Sequence, residues 1–160
     1  MKPDLVLTDP NEKKKLPISF FAPGLPRPQA RPRAFARKFG NIWQARVYNA
    51  STAEGWKSCI AIAARPHLPV TPLQGPLRVD VDLYLPRPKA HYRSNGELKS
   101  NAPIWHTSRG DRDNFDKAIL DCLTEIGMWK DDGQVCCGEV SKIYTPCNRV
   151  TGAKIRIECL

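Results

Sequence analysis

From Leu77 to Leu85 the chain reads Leu-Arg-Val-Asp-Val-Asp-Leu-Tyr-Leu, with a branched aliphatic at every odd position. Side chains on a strand alternate between its faces, so Leu77, Val79, Val81, Leu83 and Leu85 share one face. Asp80 and Asp82 lie on the other, as the solvent side of an alternating strand. Such a strand needs paired neighbours and a layer over its apolar face. Two segments supply that layer. Trp56, Ile60 and Ala63 recur at helical spacing behind Ser51, which reads as an N-cap with Glu54 completing a capping box, and the helix runs to about Ala64. Phe115, Ile119, Cys122 or Leu123, and Ile126 mark a second helix that Gly127 can end. Further strand signals cover Ile18 to Ala22, Val135 to Tyr144 and Ala153 to Cys159, the last two as a hairpin with an irregular turn through Pro146 to Gly152. The expectation is an α+β fold, a small mixed sheet packed with two main helices, and 160 residues make one domain. Residues 1–15, ending in Lys13-Lys14-Lys15, read as a flexible basic tail, and residues 16–160 as the domain.

The longest apolar run, Cys59 to Ala64, falls far short of a membrane span, and the polar N-terminus has no secretory h-region. An intracellular protein is expected. Its six cysteines are then expected to stay reduced, and no C-x-x-C pair points to structural zinc. His67, His91 and His106 share no metal-ligand spacing.

Net charge is +9, but its distribution is uneven. Between Arg109 and Asp132 seven acids outnumber four bases, leaving −3, while the rest of the chain carries 21 bases against nine acids. A basic body neutralises phosphates, and an acidic island can hold divalent cations that such a body would repel. The proline-punctuated stretch through Pro32 holds its chain extended and displays Arg27, Arg31, Arg33, Arg37 and Lys38 as a phosphate-binding arm. Between Pro86 and Arg109 periodicity is lost, and Tyr92 and Trp105 interleave with bases as on surfaces that stack unpaired nucleobases. Arg93 and Arg109 there, and Arg112 just beyond, join the arm as candidate nucleic-acid contacts.

The acidic island has internal order. Asp111 and Asp113 stand at i, i+2 in an extended lead-in, where both point to one side, and Asp113 or its neighbour can begin the helix as its cap. On a helical wheel Lys117 lies about 40° from Asp113, one turn above it and outside the apolar stripe. After the helix comes Trp129-Lys130-Asp131-Asp132-Gly133-Gln134-Val135. A helix of this length separates its ends by roughly 20 Å, so the acid pair rejoins Asp111 only if the chain returns antiparallel to the helix. Convergent carboxylates with a lysine suit binding Mg2+, lowering the pKa of its water and neutralising a phosphodiester transition state.

The order D-x-D-N-x-x-K, amphipathic helix, W-x-D-D-x-Q-V resembles the RusA family of Holliday junction resolvases, most firmly over residues 111–135. That resemblance implies catalytic roles for Asp111, Asp113, Lys117 and Asp132. It implies metal ligation by Asp111, Asp113 and Asp132, with Asp131 a neighbouring fourth. It also implies Mg2+, with Mn2+ as a substitute, a four-way DNA junction as substrate, a homodimer, paired symmetric nicks in recombination and repair, and a cytoplasmic enzyme encoded by a bacterial host or a phage. Two departures stand out: Arg109-Gly110 replaces the basic or Lys-Pro lead-in frequent in relatives, and the loop from Arg87 to Ser108 is longer than in compact relatives. Two rival readings of the same residues are a non-catalytic branched-DNA or RNA-binding module and a metal-dependent nucleotide hydrolase.

Overall fold

The computed structural model describes residues 17–30, 33–48 and 53–160. Its strands are β1 (Ile18–Pro23), β2 (Arg33–Phe39), β3 (Ile42–Tyr48), β4 (Leu77–Leu85), β5 (Val135–Cys137), β6 (Val140–Tyr144) and β7 (Gly152–Cys159), with helices α1 (Glu54–Ala64) and α2 (Arg112–Glu125). The alternating run is β4, the centre of a mixed five-stranded sheet. On one side β7 runs antiparallel to it and carries β1 on its far edge; on the other, β5 and β6 pair with it in parallel. The expected α+β architecture is present.

Helices and sheet close one core. The inward residues of β4 meet Ala153, Ile155 and Ile157 of β7, Phe20 and Ala22 of β1, Trp56, Ile60 and Ala64 of α1, and Phe115, Ile119 and Leu123 of α2. A fully buried Leu or Ile contributes about 1.5–3 kcal/mol relative to exposure. This layer holds the fold, while all six cysteines are free thiols.

Expectations are corrected at three places along the chain. The N-cap of α1 is Ala53 and makes no side-chain cap bond, so Glu54 is a first-turn acid rather than half of a capping box; Ser51 lies outside the described residues. The C-terminal strands do not form a hairpin. β6 and β7 flank β4 on opposite sides, a long-range pairing to which local strand signals are blind. The run expected from Val135 to Tyr144 is also broken at Gly138, which has φ +152° and where a Cβ would lie 1.8 Å from the Val79 carbonyl oxygen. Only glycine fits there. Beside the break, Glu139 N–H donates to Asp80 Oδ1 (3.0 Å) and Val81 N–H to the Glu139 carbonyl (2.8 Å). Asp80 is thus a structural acid, and its hydrogen bond to Arg78 (2.9 Å) holds its carboxyl below the usual value.

The third correction concerns the arm. Arg33, Arg37 and Lys38 stand on β2, paired antiparallel with β3 and joined to it through Gly40-Asn41. A Gly-Asn pair between β-forming runs is itself a hairpin signal. No helix among the described residues is long and apolar enough to cross a membrane.

Candidate active site

Helix α2 starts one residue after Asp111, its N-cap, whose backbone is extended (φ −68°, ψ 141°). Asp113 therefore lies inside the first turn rather than in an extended lead-in. An N-cap aspartate ordinarily accepts a backbone N–H two or three residues on, but the Asp111 side chain makes no cap bond. Its carboxylate is left exposed at the positive end of the helix dipole, with Asp113 exposed beside it.

The lead-in is held from β6. Lys142 Nζ donates to the carbonyls of Gly110 (2.6 Å) and Ser108 (3.2 Å), and it stands 6.0 Å from the centroid of the Phe115 ring. Gly110 has φ +104°, and a Cβ there would lie 2.6 Å from that ring. The departure from a Lys-Pro lead-in thus has a physical reason: the chain passes too close to Phe115 for a side chain. Sequence reasoning missed Lys142, because nothing local marks a contact across 32 residues.

Lys117 does not lean towards Asp113. Its Nζ pairs forward with Asp121 Oδ1 at 3.3 Å, while the other Asp121 oxygen accepts from Gln29 Nε2 at 2.9 Å. Gln29 N–H also donates to the Asn114 carbonyl (2.9 Å), fixing the loop after β1 to the first turn of α2. Gln29 is a second residue the sequence did not flag. Lys117 is more than half exposed, and an exposed i, i+4 pair is worth only about 0.3–0.5 kcal/mol, so the pair holds it weakly.

Asp116, one turn from Asp113, is half-buried. Burial raises its pKa, neighbouring Arg112 opposes the rise, and Asp113 adds to it. A carboxyl whose folded pKa exceeds its unfolded one loses stability as pH climbs through that window. Asp116→Asn is therefore expected to raise the thermal midpoint by a few degrees at pH 7–8. Near pH 3, where the wild-type carboxyl is itself protonated, the gain should vanish; a gain independent of pH would contradict the assignment.

The segment after α2 is a turn built by three side chains that leaves one acid exposed. Gly127 and Met128 N–H groups return to the Thr124 and Leu123 carbonyls, closing the helix. Trp129 is buried, with Nε1 donating to Thr124 Oγ1 at 2.7 Å. Gln134 Nε2 donates to the Leu73 and Gly75 carbonyls (both 3.0 Å), and its Oε1 accepts from Lys130 and Asp131 N–H. Asp131 Oδ1 accepts from Gly133 N–H at 2.7 Å, capping the 3-10 turn that opens at Asp132. Trp129, Asp131 and Gln134 build the turn. Asp132 stands exposed on it.

These tethers also fix where the turn lies. Trp129 is bonded to the last turn of α2, and Gln134 to the loop entering β4, whereas Asp111 is held beside β6, which pairs with the far end of β4. The acid pairs thus occupy opposite ends of a 14-residue helix, about 20 Å long. Among the described residues no three of His, Cys, Asp and Glu form a group that could hold a metal ion. The return of Asp132 to Asp111 considered from sequence does not occur within one chain.

Of the expected DNA contacts, Arg27, Arg37, Lys38, Arg109 and Arg112 are exposed, and Arg93 is half-exposed with a long pair to Glu97 (3.8 Å). Arg31 lies outside the described residues, and Arg33 opens β2. The long loop is folded rather than free. Arg87 donates to the Thr145 and Pro103 carbonyls, and His91 and His106 pack against Tyr144. Burial lowers the pKa of His106, with Lys142 adding to the effect.

Exposed aspartates at a helix N-terminus, set in a body otherwise strongly basic, are compatible with metal-assisted chemistry on a polyanion. Residues 23–158 match the family described as endodeoxyribonuclease RusA, and the chain belongs to that family. It is also similar to the uncharacterized protein YqaN of Bacillus subtilis (strain 168), 33% identical over 137 residues that cover 83% of this chain and 92% of the relative. The chain is an endodeoxyribonuclease of the Holliday junction resolvase type. The binding-only and nucleotide-hydrolase readings fall away.

Proposed function

We propose that the chain cuts four-way DNA junctions by paired symmetric nicks, in the bacterial cytoplasm, as a homodimer using Mg2+ or Mn2+. The observation that carries this reading is the division of the acids. Asp111 and Asp113 lie at one end of α2 and Asp132 at the other, with no metal-holding group within the described chain. A two-fold pair of copies that sets the start of one α2 against the acidic turn of the other would complete two equal sites. A four-way junction needs two such cuts.

Nucleases of this family depend on a divalent metal ion. The donors here are all carboxylate oxygens, which suits a hard cation that keeps several waters and takes one or two protein carboxylates plus phosphate. Asp111 and Asp113, with Asp132 of a second copy, would hold it. Asp131, its oxygen engaged by Gly133, serves as the cap. When bound, such an ion lowers the pKa of a water and offsets charge on the phosphate. Lys117 turns from Asp121 to the scissile phosphate and stabilises charge developing on its oxygens. Lys142 and Gly110 hold Asp111 in place. Exposed arginines at positions 27, 109 and 112 contact flanking phosphates.

A plasmid extruding a cruciform tests paired cutting. Two cuts within one encounter convert supercoiled circles directly to linear molecules, and this is the expected product with Mg2+. Accumulation of nicked circles ahead of linear product would contradict paired action, and equal attack on a plasmid without the cruciform would contradict junction specificity.

A further inference from the structure

The hairpin β2–β3 stands apart from the main sheet, its strands pairing, among the described residues, only with each other. Every residue from Ala36 to Ala45 is exposed. Yet its tip is apolar: Phe39, Ile42 and Trp43 are 56%, 68% and 66% exposed. Register puts Phe39 opposite Ile42 on one face and Lys38 opposite Trp43 on the other. Lys38 Nζ stands 6.0 Å from the Trp43 ring centroid, and Arg37 lies 5.2 Å from that of Phe39. A hairpin lying against its own domain would be apolar on one face only. This one is apolar on both.

Two further observations identify the occupant. From Pro28 to Ala53 the sequence has five basic residues and no acid. Two such hairpins brought together by a two-fold axis would repel, whereas a polyanion is complementary to either. The hairpin is also rooted at the active site. Gln29, bonded to Asn114 beside Asp113, precedes β2 by four residues, a span of at most about 14 Å.

We infer that the β2–β3 tip is a wedge, in which Phe39, Ile42 and Trp43 enter the branch point of the DNA and stack on the bases exposed there, while Arg37 and Lys38 hold the adjoining phosphates. This inference rests on the junction reading and adds its source of selectivity. Inserting an apolar side chain into a continuous duplex breaks a stacked step, which costs a few kcal/mol. At a branch point stacking is already interrupted, so the same insertion costs less and the junction is preferred.

The test compares the wild type with Phe39→Thr/Ile42→Thr/Trp43→Thr, in which threonine preserves strand propensity and no charge changes. Binding is measured in EDTA to a four-way junction carrying 2-aminopurine at the branch point, and to a linear duplex with the same probe. The wild type should brighten the probe in the junction and not in the duplex. The triple variant should lose the brightening and bind the junction roughly 10- to 100-fold more weakly. Its duplex affinity and salt slope should be unchanged, because no phosphate contact is removed. Trp43→Phe should keep the signal. Unchanged junction affinity and brightening in the triple variant would overturn the wedge. So would its conversion to a monomer in light scattering, which would place a second copy on the tip. A wild type that cuts junctions without brightening the probe would overturn the wedge alone, whereas one that ignores junctions would defeat the reading beneath it.

Discussion

Asp132→Asn is expected to lower junction cleavage by roughly a thousandfold or more while leaving fold and DNA binding in place. The substitution keeps volume and removes one negative charge from an exposed side chain on a turn built by other residues. Binding should hold or tighten, since one repulsion with phosphate is gone. Asp131→Asn supplies the contrast. An asparagine oxygen caps as well as a carboxylate oxygen, so the Gly133 bond and the turn should survive, and cleavage should change only a few-fold. The adjacent acids are thus expected to differ by two or more orders of magnitude. Equal losses in both variants would place the metal on the pair rather than on Asp132.

Lys117→Met should bind junctions and cut them about a hundredfold to a thousandfold more slowly, through lost stabilisation of transition-state charge. The resting structure pairs Lys117 with Asp121, which allows a competing explanation, that the lysine merely steadies the helix surface. Asp121→Asn separates the two. It keeps an oxygen for Gln29 and removes the ion pair, so a structural lysine would suffer equally, while a phosphate-directed one should lose no more than a few-fold. Stopped-flow or quenched-gel rates at saturating enzyme, with binding measured separately, distinguish a defect in kcat from one in affinity.

How far the sequence could be read follows from which forces are local. β4, α1 and α2 declare themselves because burial imposes a period of two or of about 3.6 on their own residues. The acidic residues, the lysine and the W-x-D-D-x-Q order can also be seen in one dimension. What the sequence hid was tertiary. Lys142 reaches Gly110, Gln29 reaches Asp121, and Gln134 reaches Leu73, across 32, 92 and 61 residues, with no signature in their neighbours. The expected C-terminal hairpin failed for the same reason: local strand propensity says nothing of whether β6 and β7 pair with each other or both with β4. The β2–β3 hairpin has a local signal in its Gly-Asn turn, but the proline-arginine stretch before it reads as an extended arm and masks that signal. For Asp132, helix length alone raised the question of separation, and only the tethers of Trp129 and Gln134 answer it.

Those tethers also say which measurement bears most directly on the account. Asp111→Asn and Asp132→Asn proteins, each inactive alone, are mixed under conditions that exchange subunits and then assayed on a four-way junction with Mg2+. If each site draws Asp111 from one copy and Asp132 from the other, a mixed dimer holds one doubly altered site and one intact site. Nicking should return, at one strand per junction rather than two. If instead each chain builds its own site, both sites of every mixed dimer carry a defect, and a mixture as inactive as its components would contradict the shared site.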